Sequence, residues 1–389
     1  MPKNLYSFIK KQKQLQDYVI HQKESKLFWK RFFRKKSNIA IFSLFLITLF
    51  TLIFALLFIK NSPVISINSD SIYVNNLPPY FAPIVTKNFV RGQELDFIRN
   101  IATLEEKRAF EANQNPVFKI LYDSAFETGG PLTVHTDIVI LQYNAYDLLK
   151  AINLNSISLN NNINFSNIYL GTNSNGIDLY SRTLSSIFVS ILIVLVAVFI
   201  NIFTGFILAS IYVFNKNKWY AKIIDQVATI LNSIPEIIWI FLLCIFLSSN
   251  WYGIIISFSL ISWISYYEIS KNELLSLQNS DFILAYKAIG LNKSQIIFKH
   301  MLKRIFPSLL VSVVERFAIN IIIISSLAFL NMIKQDNDLN LGVILKESID
   351  IVKSNPLPLI IITIYLLTFL IELKLLNLSF AATLFPNLK

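Results

Sequence analysis

The chain has one cysteine, three histidines and nine glycines among 389 residues, and only 15% of its residues are charged. A single cysteine, Cys244, cannot close an internal disulfide; lying inside an apolar run, it reads as a small core hydrophobe. His21, His135 and His300 are scattered and no H-E-x-x-H occurs, so metal-ligand spacing is missing and thiol or histidine catalysis has little to stand on. None of the glycines opens a G-x-x-x-x-G-K-S/T phosphate loop, so the chain is not expected to bind ATP by that route, nor any other cofactor. The shortage of charge excludes an ordinary soluble domain, which averages about 25% charged residues. What is present points to a bilayer: 54% hydrophobic residues and a mean hydropathy of +0.54.

A hydrocarbon core takes about 20 apolar residues per helix. Six runs qualify: Asn38 to Ile59, Thr183 to Phe214, Lys222 to Leu247, Trp251 to Ile269, Ser308 to Met332 and Leu357 to Leu376. The first is too long for the roughly 7–15 residues of a signal-peptide core and no small-residue cleavage site follows it, so it is expected to stay as an anchor. Eleven Lys and Arg residues between Lys3 and Lys36 precede it, which by the positive-inside rule places the N-terminus in the cytoplasm. Six spans return the C-terminus to the same side. On that topology the turn bearing Lys216, Lys218 and Lys222 and the loop at about 270–305 are cytoplasmic, while 248–250 and 333–356 lie outside. The net charge of +11 is concentrated beside spans, where each basic residue gains about 1 kcal/mol from anionic lipid; the expected partner is membrane, not nucleic acid.

Residues 60–168 between the first two spans far exceed the roughly 12–15 at which a structureless loop becomes uncommon. A folded extracellular α+β insert is expected. Leu132, Val134, Ile138 and Ile140 alternate with polar residues as in a half-buried strand, Gln93 to Asn113 reads as a charged surface helix, Ala145 to Ile152 as another helix, and Asn153 to Asn167 as a linker.

The most telling stretch lies between apolar runs. Phe282, Ala285, Tyr286 and Ile289 fall at i, i+3, i+4 and i+7 and predict one apolar helical face; Ser280 and Asp281 supply cap and first-turn chemistry, and Gly290 ends the helix. Asn292, with Gln295 three residues on, starts a second helix directed toward Pro307. This segment resembles the coupling loop of ATP-binding-cassette importer permeases. Ala285, Ala288, Gly290, Ile297, Phe298, His300 and Pro307 match the peptide-importer branch, whereas Leu284 replaces the usual glutamate and Lys303 a common proline. Leu170 to Arg182 is similar to the L-G-T-D-x-x-G-R-D-x-x-S-R signature of C-type oligopeptide and dipeptide permeases, through Leu170, Gly171, Thr172, Gly176, Asp178, Ser181 and Arg182. Two glycines would allow a tight lead-in turn, and Arg182 would neutralise Asp178. Phe28 to Phe32, Leu327 to Asn331 and Leu341-Gly342 echo further family segments; the likeness fades in the last span, at Glu372 and Lys374.

The resemblance implies an α-helical polytopic membrane protein: six transmembrane helices, made of an N-terminal anchor (38–59) and a five-helix type I importer permease core (169–389), preceded by a basic cytoplasmic segment (1–37). It implies one permease subunit of a bacterial peptide importer that works by alternating access and is not itself an enzyme. The implied partners are a homologous second permease, two ATPase subunits carrying ATP and Mg, and an extracellular or periplasmic peptide-binding protein. Asp281, Phe282, Ala285, Tyr286, Ala288, Ile289 and Gly290 would meet the ATPases. Glu315 and Arg316, ionisable in mid-span, suggest a pathway or a permease interface. Pro235 with Glu236 suggests a kink. The rival readings are an ion-coupled secondary transporter, which would show paired repeats, and a membrane-anchored sensor or assembly scaffold.

Overall fold

The computed structural model describes residues 24–69, 71–127, 138–155, 167–247, 250–327 and 338–384. The described chain runs through a short amphipathic helix α1 (Glu24–Phe32) into α2 (Lys36–Leu56), then through the insert with β1 (Ile84–Val90), α3 (Gln93–Glu111), β2 (Ile120–Asp123), α4 (Ser124–Glu127), β3 (Ile138–Asn144) and α5 (Ala145–Leu154). The bundle follows: α6 (Leu179–Phe214), α7 (Trp219–Asn232), α8 (Glu236–Leu247), α9 (Trp251–Ile261), α10 (Trp263–Gln278), α11 (Asp281–Ala288), α12 (Lys293–Leu327), α13 (Leu341–Asp350) and α14 (Leu357–Leu384).

Among the described residues, five helices are long and apolar enough to cross a membrane, with α9 and α10 forming one, and the α7–α8 pair brings the number to six if its bent halves count as a single span. The chain is thus a multi-pass helical membrane protein with a small sheet insert. The third expected span, Lys222 to Leu247, is bent at the expected Pro235–Glu236 kink: its halves meet at 96°. Pro235 lacks an N–H and disfavours helical geometry at Ile234, so the helix stops at Asn232, with Ser233 as its C-cap, and restarts at Glu236. Trp239 Nε1 donates to the Leu231 carbonyl at 3.0 Å, satisfying a group freed by the break. The fourth span continues to Gln278, and the fifth begins fifteen residues before Ser308, since α12 carries Pro307 within it after a π-helical turn at Ile296–Met301. The sixth runs to Leu384. Residues 328–332, with most of the Leu327 to Asn331 echo, fall outside the described residues. Helix α13 was not anticipated within the 333–356 segment; Asn340 caps it by accepting the Val343 amide at 3.0 Å.

The bundle core is built around α6, with α10 closest. Gly205 makes that approach possible: a Cβ there would stand 2.7 Å from Tyr266 Cβ and 2.8 Å from the Trp263 carbonyl. Helix α2 packs mainly against α14 and also meets α6, where Tyr180 Oη donates to the Ala55 carbonyl at 3.0 Å. Thr48 Oγ1 donates to Glu372 Oε2 at 2.5 Å, and the Phe32 and Phe380 rings meet at a tilt with centroids 5.2 Å apart. The buried Glu372, where the family likeness fades, is a tether for the anchor helix.

The insert has its own core of residues between Val74 and Ile168. Its sheet is antiparallel in the order β1-β3-β2. Two expectations change. The inward residues of β3 are Val139, Leu141 and Tyr143, while Ile138 and Ile140 are exposed. The strand is apolar on both faces, so alternation alone does not choose its side; packing against the helices does. Leu132 and Val134 lie outside the described residues, as does 156–166 of the expected linker. Helix α3 is not merely a charged surface helix: it buries Leu95, Ile98, Ile101 and Ala109. Its Glu105 is fully buried, and a hydrogen bond from Arg108, together with the Val117 amide and Asn155, holds the carboxyl down at about 2.

Candidate functional site

Helix α11 forms where an exposed segment passes between α10 and α12. Ser280 occupies the N-cap position but offers no cap bond; its hydroxyl donates back to the Leu277 carbonyl at 2.6 Å. Asp281 in the first turn suits the helix dipole. The C-terminal end closes as a Schellman motif, with the Leu291 amide donating to Tyr286 O at 3.2 Å and Gly290 N to Lys287 O at 3.0 Å. Gly290 takes φ +85°, and nothing stands within 4 Å of where a Cβ would be. An Asn292–Gln295 capping box then starts α12.

The predicted apolar face of α11 divides in two. Ile283 is buried, and Phe282 and Tyr286 lean inward: the Arg304 guanidinium lies 4.7 Å over the Phe282 ring, and the Tyr286 and His300 rings are 4.0 Å apart. Leu284, Ala285, Lys287, Ala288 and Ile289 face outward, with Ile289 76% exposed. Both aromatics therefore mount the helix on α12, and the surface open to another molecule is a small apolar patch beside the Gly290 turn. Sequence periodicity alone missed this because a short helix can rest on a neighbour by either edge of its apolar stripe.

A second constellation gathers at the α7–α8 elbow. Arg316 NH1 donates to Glu236 Oε2 at 2.9 Å, and the Ser262 hydroxyl donates to Glu236 Oε1. One carboxylate thus joins the elbow, the α9–α10 junction and α12. Glu315, the sequence neighbour of Arg316, is exposed and turned elsewhere. Below the elbow, Asp225 accepts from Lys271 and from Tyr267 Oη, the latter at 2.8 Å, and Asn232 Nδ2 donates to Glu268 at 2.9 Å. The Asp225 and Lys271 partners were missed because they lie 46 residues apart.

The lead-in turn is a buried knot. Gly171 takes φ +81° and Gly176 φ +70°, and a Cβ on Gly171 would lie 2.1 Å from the Leu77 carbonyl oxygen. Thr172 pairs with Asp178 across an antiparallel bridge, and Leu77 N donates to Thr172 Oγ1 at 2.9 Å. Asp178 caps α6 by accepting the Tyr180 and Ser181 amides and the Ser181 hydroxyl. Burial pushes its carboxyl up, and those hydrogen bonds oppose the shift. The expected neutralisation of Asp178 by Arg182 is corrected: Arg182 Nε donates to Glu347 Oε2 on α13 at 2.7 Å, and NH1 to the Pro63 carbonyl at 3.1 Å. One turn of α6 carries the guanidinium past the capping aspartate toward α13. Asn173, where the family signature has aspartate, also donates to Glu347.

Residues 201–382, from α6 to α14, match the family described as binding-protein-dependent transport system inner membrane component. Among individual proteins, the chain is similar to the oligopeptide transport system permease protein OppC of Bacillus subtilis (strain 168), 30% identical over 91 residues, which are 23% of this chain and 30% of that protein. It is also similar to the dipeptide transport system permease protein DppC of Lactococcus lactis subsp. cremoris (strain MG1363), 24% identical over 152 residues, 38% of this chain and 44% of that protein. The chain spans less than half the length of the curated relatives it matches. The resemblance to peptide-importer permeases of the C type agrees with these matches, and the matched family is described as a membrane component of a transport system.

Proposed function

We propose that this chain is one permease subunit of an ATP-driven importer of oligopeptides or dipeptides, forming half of the translocation pathway. The observation that carries this reading is the outward patch of Leu284, Ala285, Ala288 and Ile289 beside the Gly290 turn, on a helix mounted between two long bundle helices. A short helix so held passes a push directly to α10 and α12. The pushing partners are two ATPase subunits, which bind ATP and Mg, and the other half of the gate is a homologous permease. Both termini and α11 lie on the cytoplasmic side, in accord with the basic N-terminal segment. The insert lies outside, where a peptide-binding protein delivers substrate. The α7–α8 elbow, tied through Glu236 to Ser262 and Arg316, is the joint about which the halves rock.

With Leu284 in place of an acidic residue, coupling works through shape and apolar contact. Ala285→Trp overpacks the patch, and Gly290→Val puts a β-branched residue into left-handed backbone. Both variants should reach the membrane and co-purify with the second permease, yet lose peptide-stimulated ATP hydrolysis and peptide uptake in proteoliposomes. Full uptake by both would remove α11 from the coupling role.

A further inference from the structure

Three helices bring polar groups to one depth of the bundle. Helix α8 runs from Glu236 to Leu247, Ser262 follows the eleven residues of α9 that begin at Trp251, and Arg316 stands eleven residues before Leu327 on α12. At about 1.5 Å per residue each group lies roughly 16–18 Å from those helix ends, about halfway through a hydrocarbon core of about 30 Å. There Glu236 accepts from both Ser262 and Arg316. The pair is not sealed in: 26% of the Arg316 side chain and 19% of that of Glu236 are exposed. Hydrocarbon is costly for such groups, so the open side of the pair faces water or a polar ligand.

Hydrogen-bond accounting shows what kind of ligand fits. Glu236 has engaged both carboxylate oxygens, one with Ser262 and one with Arg316. Arg316 uses NH1 alone among the described residues, which leaves Nε and NH2 of its fork as idle donors. Tyr266 is fully buried and within electrostatic reach of Arg316 and Glu236, yet its hydroxyl has no hydrogen-bond partner. Asn320, one helical turn from Arg316, is 1% exposed, and neither its amide nitrogen nor its amide oxygen has a partner. Buried polar groups are rarely left in that state. The missing component is an acceptor, because idle N–H and O–H groups accompany a guanidinium whose own carboxylate is fully engaged.

We infer that Arg316 is the group that binds the terminal carboxylate of the peptide cargo in mid-membrane, held in place by Glu236 and assisted by the Tyr266 hydroxyl and the Asn320 amide. A guanidinium takes a carboxylate through two parallel N–H bonds, and the Nε and NH2 edge of Arg316 is the edge that offers them. Every unblocked peptide carries one such terminus whatever its side chains, so recognition at this point does not depend on sequence. Glu315, exposed and turned elsewhere, has no part in it. That the anion belongs to a peptide rests on the importer reading; that Arg316 is open to water and takes a carboxylate does not.

The full-length chain in lipid nanodiscs would be treated with phenylglyoxal, which condenses with guanidinium groups from water, and the modification of Arg316 followed by mass spectrometry. Millimolar trialanine should slow that modification severalfold, and trialanine amide should not. In proteoliposomes holding the whole complex, Arg316→Gln should lower uptake of trialanine about tenfold or more and uptake of trialanine amide by about twofold or less. Comparing the two substrates within each variant cancels any preference of the binding protein. Should the loss of Arg316 beside Glu236 prevent folding, the double variant Arg316→Gln/Glu236→Gln carries the same comparison without a lone charge. Tyr266→Phe removes a hydroxyl that has no partner, so it should leave the thermal midpoint at or above that of the unaltered protein while lowering trialanine uptake severalfold relative to the amide. An Arg316 that phenylglyoxal does not reach, equal protection by the amide, or equal losses for the two substrates overturns the assignment. Selective protection by trialanine in a chain whose reconstituted complex imports no peptide would defeat the importer reading and leave the carboxylate site standing; import that Arg316→Gln lowers equally for both substrates would do the reverse.

Discussion

Gly171 and Gly290 adopt nearly the same left-handed backbone, at φ +81° and +85°, in opposite surroundings. At Gly171 an added Cβ would lie 2.1 Å from the Leu77 carbonyl oxygen; at Gly290 it would meet nothing. The first turn is woven into its neighbours: Asn76 N donates to Asn173 O at 2.9 Å, Ile67 N to Gly176 O at 2.9 Å, and Arg182 and Asn173 both reach Glu347. The second is held by its own helix-end hydrogen bonds and by aromatic contacts on one side only. One conformation thus serves two ends. Where packing surrounds the glycine, it allows a buried joint between the insert and the bundle; where space surrounds it, the turn leaves an adjacent patch open for a partner.

The sharpest way to break this contrast is Glu347→Ala, which leaves the buried Arg182 guanidinium without its carboxylate. Losing one member of a buried pair costs about 3–5 kcal/mol, so the thermal midpoint of the purified protein should fall steeply, with the insert and bundle loosening together. A loss below about 1 kcal/mol would show that the joint does not depend on this brace.

Next in size is Gly171→Ala. Left-handed backbone costs a residue with a Cβ about 1–2 kcal/mol, and overpacking adds about 1–3. The destabilisation should appear in the thermal midpoint and in yield from the membrane. Gly290→Ala should cost only the first of these, about 1–2 kcal/mol, because its Cβ has room. Comparing the two midpoints isolates the packing contribution; equal losses would erase the distinction between a buried and an open turn.

Several features were readable from residues alone because they depend on local chemistry. The Asn292–Gln295 box, the left-handed Gly290 and the helices near Gln93 and Ala145 follow from caps, glycine freedom and apolar spacing. The apolar runs locate the spanning helices because a bilayer demands about 20 such residues in series. The face of α11 that is covered could not be read this way, since Phe282 and Ala285 share one stripe and only contact with His300 and Arg304 separates them.

Sequence by itself determined that this is a multi-pass helical membrane protein, roughly where its spanning helices lie, and which short segment stands between them in polar surroundings. Hydropathy, proline and glycine act within a few residues of where they occur, so their consequences can be read in order along the chain. Tertiary structure alone decided the partners of the charges that pair across distant parts of the chain. Arg182 meets Glu347 across 165 residues instead of the nearby Asp178, Arg316 meets Glu236 across 80, and Thr48 meets Glu372 across 324. In a low-dielectric interior a buried charge is stable only beside a group that the fold brings within hydrogen-bond reach, and nearness in sequence does not supply that reach when the helix turns the two side chains apart.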